Sequence, residues 1–260
     1  MQYEHSRVHL EAHANPTDYI NASHISFNAL PKRFIASQGP LENTFADFWQ
    51  MCLQEHVGVI VMLTNLFEGG REKCGRYWTK QFAGPFEIKV ESEDDTAAAD
   101  EEAGGFFGPC SLPTDSPLQR QRRSNNTVRR TIYVKRRDEP SAPPHKIRHL
   151  QYTAWPDFDV PADPSEVLTL VREVDKANRD FANETGRSDP PPILTHCSAG
   201  VGRTVCPSFF LSAAPYRADI RSRRAYSSWR RPCLSRSRSA CARSHGTKTW
   251  SLMAHPRQAR

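Results

Sequence analysis

Apolar residues recur with a helical period over residues 163–183, DPSEVLTLVREVDKANRDFAN. The positions that share one face of such a helix are Val167, Leu170, Val171 and Val174. Asp163 before the period, Pro164 at its first position and Glu166 two residues later are typical of a helix start. The pattern predicts an amphipathic helix from Asp163 to Asn183.

Buried strands are indicated on both sides of this helix. ILT follows the helix through the loop ETGRSDPPP and leads to His196, and VGVIVMLT (Val57–Thr64) has no charged residue and a single polar one, Thr64. The segment before the latter, NTFADFWQMCLQEH, has the period of a helix that leads into the strand. TVRRTIYVKRR, residues 127–137, alternates as a half-buried strand does. This alternation of helices and buried strands predicts the α/β class.

Two segments show neither the helical period nor the alternation of a strand. Residues 91–128 hold seven acidic residues between Glu91 and Glu102, then glycine, proline, serine and a basic cluster. Such a composition buries too little apolar surface to order itself, so we expect a flexible insertion between two strands, with docking or phosphoregulation as the alternative. Residues 205–260 hold eleven arginines and ten serines. We therefore divide the chain into a domain at 1–204 and an Arg/Ser-rich tail at 205–260.

Composition fits one core, since the chain has 260 residues of which 38% are apolar. Its net charge of +6 is unevenly distributed. The tail holds twelve Lys or Arg and one acid, a net of +11, which leaves −5 for residues 1–204. Nucleic-acid binding therefore depends on the tail alone, and we do not expect nucleic acid as a partner.

The cysteines and the lengths of the apolar runs indicate in which cellular compartment the protein works. Seven cysteines, an odd number with no C-x-x-C pair, argue against a disulfide framework and against a zinc site. The longest apolar run is far below the roughly 18 residues of a membrane span, and the start MQYEHSRVHL is charged. We expect reduced thiols and a soluble cytoplasmic protein without a membrane partner, with nuclear targeting by the tail left open.

Candidate chemistry is concentrated in HCSAGVGRT, where Cys197 and Arg203 flank a loop that follows the predicted strand. The backbone N–H groups of residues 198–203 can curl around a phosphate, and Gly200 and Gly202 permit the tight backbone. An arginine fork can hold two phosphate oxygens, and the same positive field favours the thiolate form of the cysteine. Taken alone, the spacing also fits a buried structural cysteine.

A second stretch, QYTAWPDFDVP, supplies an acid. A tyrosyl oxygen, whose conjugate acid has a pKa of about 10, needs a proton as it leaves, and Asp157 could donate it and later accept one from water. Trp155 and Pro156 would stiffen the loop and exclude water. Taken alone, this stretch also fits an ordinary Pro-Asp turn.

Together with HSRVHL, DYINASHI, FIASQGPLENTFADFW and VMLTNLFEGGREKCGRYW, these motifs resemble, in order from Tyr3 to Thr204, the tyrosine-specific protein tyrosine phosphatases. The resemblance implies a twisted mixed sheet flanked by helices and hydrolysis of protein phosphotyrosine through a phosphocysteine, without a metal or other cofactor. DYINAS and SQGP favour the tyrosine-specific branch over the dual-specificity one.

The same resemblance assigns roles residue by residue. Cys197 is the nucleophile, Asp157 the general acid and base, Arg203 the phosphate clamp, His196 the neighbour that tunes the thiolate, and Thr204 the residue that helps cysteine leave. The phosphate-binding positions are Ser198, Ala199, Gly200, Val201, Gly202 and Arg203. The supporting positions are Glu68, which braces the arginine, Lys73 near the lid, and Trp155 and Pro156 in the lid. Without the motifs, Glu68 and Lys73 would pass for ordinary surface charges.

The resemblance stops at both ends of the chain. The family's N-terminal helical portion with a KNRY-type segment is not found, and after Thr204 neither its C-terminal helical layer nor its glutamine loop is visible. The tail is either a genuine basic appendage or the product of a frame change or unspliced intron. We favour the second origin, since core elements are missing where the tail begins.

These departures keep a second function open beside phosphotyrosine hydrolysis. It is an inactive truncated phosphatase or a non-catalytic phosphotyrosine-binding module. In either case we expect phosphotyrosine-containing proteins as partners.

Overall fold

The computed structural model describes residues 4–11, 17–26, 33–95, 126–156, 161 and 164–204. The strands are β1 Arg7–His9, β2 Tyr19–Ser26, β3 Arg33–Ser37, β4 Val59–Met62, β5 Phe67–Glu68, β6 Arg71–Glu72, β7 Phe82–Ala83, β8 Phe86–Asp95, β9 Thr127–Arg136, β10 His145–Tyr152 and β11 Ile193–His196. The helices are α1 Phe45–Gln54, preceded by a 3-10 turn at Glu42–Thr44, and α2 Pro164–Glu184.

Nine strands form one mixed sheet in the order β1-β2-β3-β11-β4-β10-β9-β8-β7, and β5 pairs with β6 in a separate hairpin. The centre is parallel, because β11 pairs in parallel with β3 and β4, and β4 pairs in parallel with β10. The flanking pairs are antiparallel. The mixed sheet flanked by helices that the resemblance implied is confirmed.

The central strands are buried on both faces, as apolar runs in parallel strands predict. On one face, Ile60 of β4 and Leu194 of β11 belong to a core with Trp49 of α1. On the other, Val59 and Ile193 belong to a core with α2. The helix predicted at 163–183, the buried strands at Val57–Thr64 and before His196, and the helix before Val57 are therefore confirmed. The strand predicted at 127–137 is β9.

The predicted flexible insertion at 91–128 begins too early and ends too late. β8 continues to Asp95 and β9 starts at Thr127, with Asp95 opposite Val128. Ladder pairing with β9 overrides the acidic composition of the strand end, because backbone hydrogen bonds do not depend on side-chain polarity. Residues 96–125 and the tail lie outside the described residues, and so does the region after Thr204 where the C-terminal helical layer is expected to be missing or altered.

Candidate active site

Cys197 is the first residue beyond the carboxyl end of β11, at the centre of the sheet. The chain turns back at once, so that the backbone N–H of Gly200 donates a hydrogen bond to Cys197 Sγ across 3.3 Å. Gly200 adopts a φ of +73°, which favours glycine. Ligands of open α/β sheets bind at such carboxyl ends, where loops from neighbouring strands meet.

The Cys197–Arg203 loop is fixed to the segment that follows β3. The N–H of Gly39 donates to the Ser198 carbonyl across 2.9 Å. A Cβ on Gly200 would lie 2.6 Å from the carbonyl oxygen of Ser37, and one on Gly39 would lie 2.6 Å from that of Cys197. The two backbones therefore touch with no room for a side chain, which accounts for a glycine at each contact.

Arg203 closes the loop against the hairpin of β5 and β6. Its guanidinium donates Nη1 to Glu68 Oε1 across 2.7 Å and Nη2 to Glu68 Oε2 across 2.5 Å. Nη1 also donates to the Leu63 carbonyl across 3.0 Å. The two side chains are 8% and 10% exposed, so this is a buried, two-point ion pair. The structure thus brings Glu68 to the arginine that it was predicted to brace.

Glu68 is itself held by the end of β4. Its Oε1 accepts from the backbone N–H of Asn65 across 3.1 Å and from Thr64 Oγ1 across 3.2 Å. Hydrogen bonds to the ionised carboxylate offset part of the cost of burying it. The Arg203 guanidinium is therefore held by the Glu68 carboxylate and by the Leu63 carbonyl without any bound phosphate.

His196, the last residue of β11, is fully buried beneath Cys197. Its Nε2 is hydrogen-bonded to Tyr77 Oη across 2.8 Å, and the same hydroxyl is 2.8 Å from His149 Nε2. Its Nδ1 lies 3.3 Å from the Cys197 carbonyl oxygen. Burial lowers the pKa of His196 to about 4, although the contact with that carbonyl opposes the shift. Burial, with the nearby Arg130 cation and His196, holds the pKa of His149 well below its ordinary value.

The other predicted residues are placed less uniformly. Thr204 is buried, whereas Val201 at the loop tip is 66% exposed. Ser198 and Gly202 are half-buried and Ala199 is exposed. Lys73 is half-buried and follows β6, where its N–H donates to the Leu66 carbonyl across 2.7 Å.

Of the QYTAWPDFDVP stretch, only the first part is described. Trp155 is 3% exposed, and its ring meets that of Tyr152 edge-on with 6.4 Å between centroids. Pro156 is exposed, and Asp157 lies outside the described residues. Trp155 therefore anchors the chain in the α2 core two residues before Asp157.

Sequence reasoning missed the polar residues beneath the site. Arg130 on β9 is 7% exposed and stands opposite His149 of β10. Its Nη1 is hydrogen-bonded to His149 Nδ1 across 3.2 Å and to Gln151 Oε1 across 3.0 Å. Gln151 Nε2 donates to the Thr64 carbonyl across 3.1 Å. The available signal was the i, i+2 pair of polar residues in HKIRHLQY, which share one face of a strand.

The residues that the structure describes contain no group of three or more His, Cys, Asp or Glu side chains arranged to hold a metal ion. Their helices include none that is both long enough and apolar enough to cross a bilayer.

Comparison with known proteins identifies the family. The family model of the protein-tyrosine phosphatase domain matches residues 1–214. The chain belongs to the protein-tyrosine phosphatase family. The family match extends ten residues past Thr204.

Individual members of the family are similar to the chain in sequence and in structure. Human receptor-type tyrosine-protein phosphatase zeta is 37% identical over 206 residues, which are 78% of this chain and 8% of that protein. Human tyrosine-protein phosphatase non-receptor type 7 is 34% identical over 192 residues, which are 73% and 42%. A solved structure of PTPN18 in complex with HER2-pY1248 phosphopeptides aligns with a TM-score of 0.59 and 28% identity, covering 81% of this chain and 66% of that one. The chain thus spans a minor part of these two curated phosphatases.

Proposed function

We propose that the chain hydrolyses phosphotyrosine in proteins through a phosphocysteine intermediate. The observation that carries the proposal is the loop beyond β11, where the Gly200 N–H donates to Cys197 Sγ and a buried two-point ion pair holds Arg203 at the end of the same loop. A cysteine that served only as core filling would need neither feature. Membership of the phosphatase family supports the same reaction.

In the first step, the Cys197 thiolate attacks phosphorus and an S–P bond forms. The P–O bond to the tyrosine breaks, and its oxygen takes a proton from the Asp157 carboxyl group. Negative charge on the transferring phosphoryl oxygens is met by the backbone N–H groups of residues 198–203 and by the Arg203 fork. Because Glu68 already fixes the guanidinium, this charge is met without reorganisation of the arginine.

In the second step, water attacks the phosphocysteine. Asp157, now a carboxylate, accepts the proton of the water, the S–P bond breaks, and phosphate and the Cys197 thiolate are released. Thr204, buried at the end of the loop, would assist departure of the sulfur. His196 holds the cysteine backbone from below.

Protein phosphotyrosine is the proposed substrate class. PTPN18, which shares the fold, has been captured with phosphotyrosine peptides of HER2. Trp155 is buried in the α2 core two residues before Asp157, which would give a lid that carried Asp157 a fixed base. Lys73 directly follows the β5–β6 hairpin that holds Glu68. Surface loops around the site would set which residues are preferred beside the phosphotyrosine.

Steady-state hydrolysis of an aryl phosphate from about pH 5 to about pH 8 tests the proposal. We expect multiple turnover that vanadate inhibits and that Cys197→Ser abolishes. Asp157→Ala should lower kcat by about 100-fold or more and trap a phosphotyrosine peptide. Asp138→Ala, a change at an exposed carboxylate outside the site, is the matched control and should keep wild-type turnover.

Two results would contradict the proposal. Turnover retained in Cys197→Ser would exclude the phosphocysteine. Binding of phosphotyrosine peptide without turnover by a cooperatively unfolding protein would instead support a non-catalytic phosphotyrosine-binding module.

A further inference from the structure

Arg130 is a buried cation at the centre of the polar network beneath the site. It is 7% exposed, its guanidinium carbon lies 4.4 Å from the centroid of the Trp78 ring, and its Nη1 reaches both His149 Nδ1 and Gln151 Oε1. Stacking on an aromatic face and hydrogen bonding both suit a guanidinium removed from water. Nothing in the proposed reaction uses this residue directly.

The chemistry of the guanidinium determines which group donates and which accepts in each hydrogen bond of the network. Arginine has donors and no acceptor, and it stays charged at all physiological pH values. His149 Nδ1 must therefore accept from Arg130, and since burial keeps this imidazole neutral, its proton is on Nε2. Nε2–H then donates to Tyr77 Oη across 2.8 Å.

The same order of donors and acceptors extends from Tyr77 to the carbonyl of Cys197. Tyr77 Oη, which accepts from His149, donates its own proton to His196 Nε2 across 2.8 Å. His196 is also neutral at pH 7, so its single proton is on Nδ1 and points to the Cys197 carbonyl oxygen 3.3 Å away. The opposite tautomer would place the Nδ1 lone pair against that oxygen, which is repulsive.

We propose that Arg130 is a positioning residue that fixes the tautomers of His149 and His196 and thereby holds the Cys197 peptide in place. Its effect on turnover rests on the phosphotyrosine hydrolysis proposed above, whereas its effect on the tautomers does not. The peptide that follows Cys197 matters because the chain leads from it to Gly200, so that its rotation would move the Gly200 N–H away from Cys197 Sγ. Its carbonyl also packs against Gly39.

Nuclear magnetic resonance of the full chain, labelled with ¹⁵N in its histidine rings, reads the tautomers directly, because protonated and bare ring nitrogens have well separated shifts. In the wild-type protein we expect the proton of His149 on Nε2 and that of His196 on Nδ1. Arg130→Met, which keeps the apolar stem and removes all donors, should give both histidines mixed tautomers. Arg130→Lys, which retains a donor, should restore the wild-type pattern.

Two further variants give the test its direction and its control. Tyr77→Phe cuts the network between the histidines, so His196 should become mixed while His149 keeps its proton on Nε2. Arg129→Met removes the adjacent arginine of β9, which pairs with Glu173 instead, and should change neither histidine.

A wild-type proton on His149 Nδ1 would overturn the proposal, as would an Arg130→Met protein that unfolds cooperatively with both tautomers unchanged. If Arg130→Met does not fold, Tyr77→Phe tests the proposal in its place. A changed His149 tautomer in Tyr77→Phe would mean that Arg130 alone does not fix the tautomer of His149, and would overturn the proposal.

Turnover of an aryl phosphate supplies the functional half of the test. We expect Arg130→Met to lower kcat by about tenfold with little change in KM, and Arg130→Lys to recover most of the loss. Altered tautomers with unchanged kcat would overturn the positioning role. A wild-type protein without any turnover would instead remove the proposed function, while the tautomer result would stand.

Discussion

At the scale of single residues, the site depends on polar groups that are buried with their partners. Arg203 and Glu68 form a nearly dry ion pair, and His149 and His196 are neutral imidazoles inside the core. Buried groups of this kind contribute fixed geometry more than net stability, because desolvation consumes most of the attraction. The loss of one partner is nevertheless costly, since the other is left charged in the interior.

Glu68→Ala should therefore lower the free energy of unfolding by about 3 kcal/mol, since it leaves Arg203 buried without its carboxylate. Glu42→Ala is the matched control, because its partner Lys80 and the Glu42 carboxylate are both exposed, and it should have little effect. Urea unfolding of the three proteins measures the difference. Equal losses in the two variants would contradict a buried pair.

The buried imidazoles predict a dependence of stability on pH. Their pKa values are lowered in the folded protein, that of His196 to about 4, so the unfolded chain binds more protons below about pH 6.5. This contribution is complete above about pH 6.5 and is lost as the pH falls toward about 4, by about 3 kcal/mol for His196.

Urea titrations at steps between about pH 6.5 and about pH 4.5 measure this loss. His149→Gln removes one of the two buried imidazoles and should make the slope shallower. A free energy of unfolding that stays constant over the window would show that the histidines are accessible to protons in the folded state.

At the scale of elements, the Cys197–Arg203 loop is shaped by its contact with the residues that follow β3. Gly200 has a positive φ and packs against Ser37, whereas a Cβ on Gly202 would meet no atom within 4 Å. The loop thus contains one glycine that the packing requires and another that it does not.

Gly200→Ala should lower the free energy of unfolding by about 2 kcal/mol or more, because φ strain adds to the clash with the Ser37 backbone. Gly202→Ala is the control for stability and should cost less than about 1 kcal/mol. Thermal or urea unfolding distinguishes the two. A Gly200→Ala protein as stable as Gly202→Ala would mean that the two backbones can separate freely.

A similar contact joins α2 to the sheet. A Cβ on Gly58 would lie 2.4 Å from the ring of Phe181, so Gly58→Ala should be destabilising. Phe181→Leu in the same chain makes room and should recover part of the loss, a favourable coupling of about 0.5 to 3 kcal/mol. Unfolding of the four proteins of the cycle measures it, and strict additivity would argue against the contact.

At the scale of the whole molecule, the sheet separates two apolar layers, one beneath α1 and one beneath α2. Cys52 and Cys74 are buried in the first of these layers. Burial raises the pKa of both thiols, and thiolate is the reactive form.

Alkylation followed by peptide mapping should therefore find Cys52 and Cys74 protected in the native protein and labelled together across the unfolding transition in urea. Their labelling should rise with the same midpoint as the loss of tertiary structure, because exposure of this layer requires global unfolding. Labelling of Cys74 well below that midpoint would reveal local opening beside the site.

The sequence was informative wherever a period extended over several turns or a whole strand. The helix that is α2 and the apolar strand β4 were predicted because burial on one or both faces leaves a regular pattern. The two-residue strands β5 and β6 leave none, so Glu68 was found through family resemblance alone. Arg129 and Arg130 are adjacent and chemically identical, and only the packed sheet distinguishes the arginine beside Glu173 from the one beneath the site.

The place of β11 has a consequence for synthesis on the ribosome. β1 to β3 and β4 to β10 are made first, and β11 then inserts between β3 and β4 as the last of the described strands. Among the described strands β11 is the one that pairs with both β3 and β4, so the native hydrogen bonds that join the two halves of the sheet form only after Ile193–His196 have left the exit tunnel. The loop that begins at Cys197 is therefore assembled at the final seam, and a nascent chain that stalls before it contains no cradle for phosphate at all.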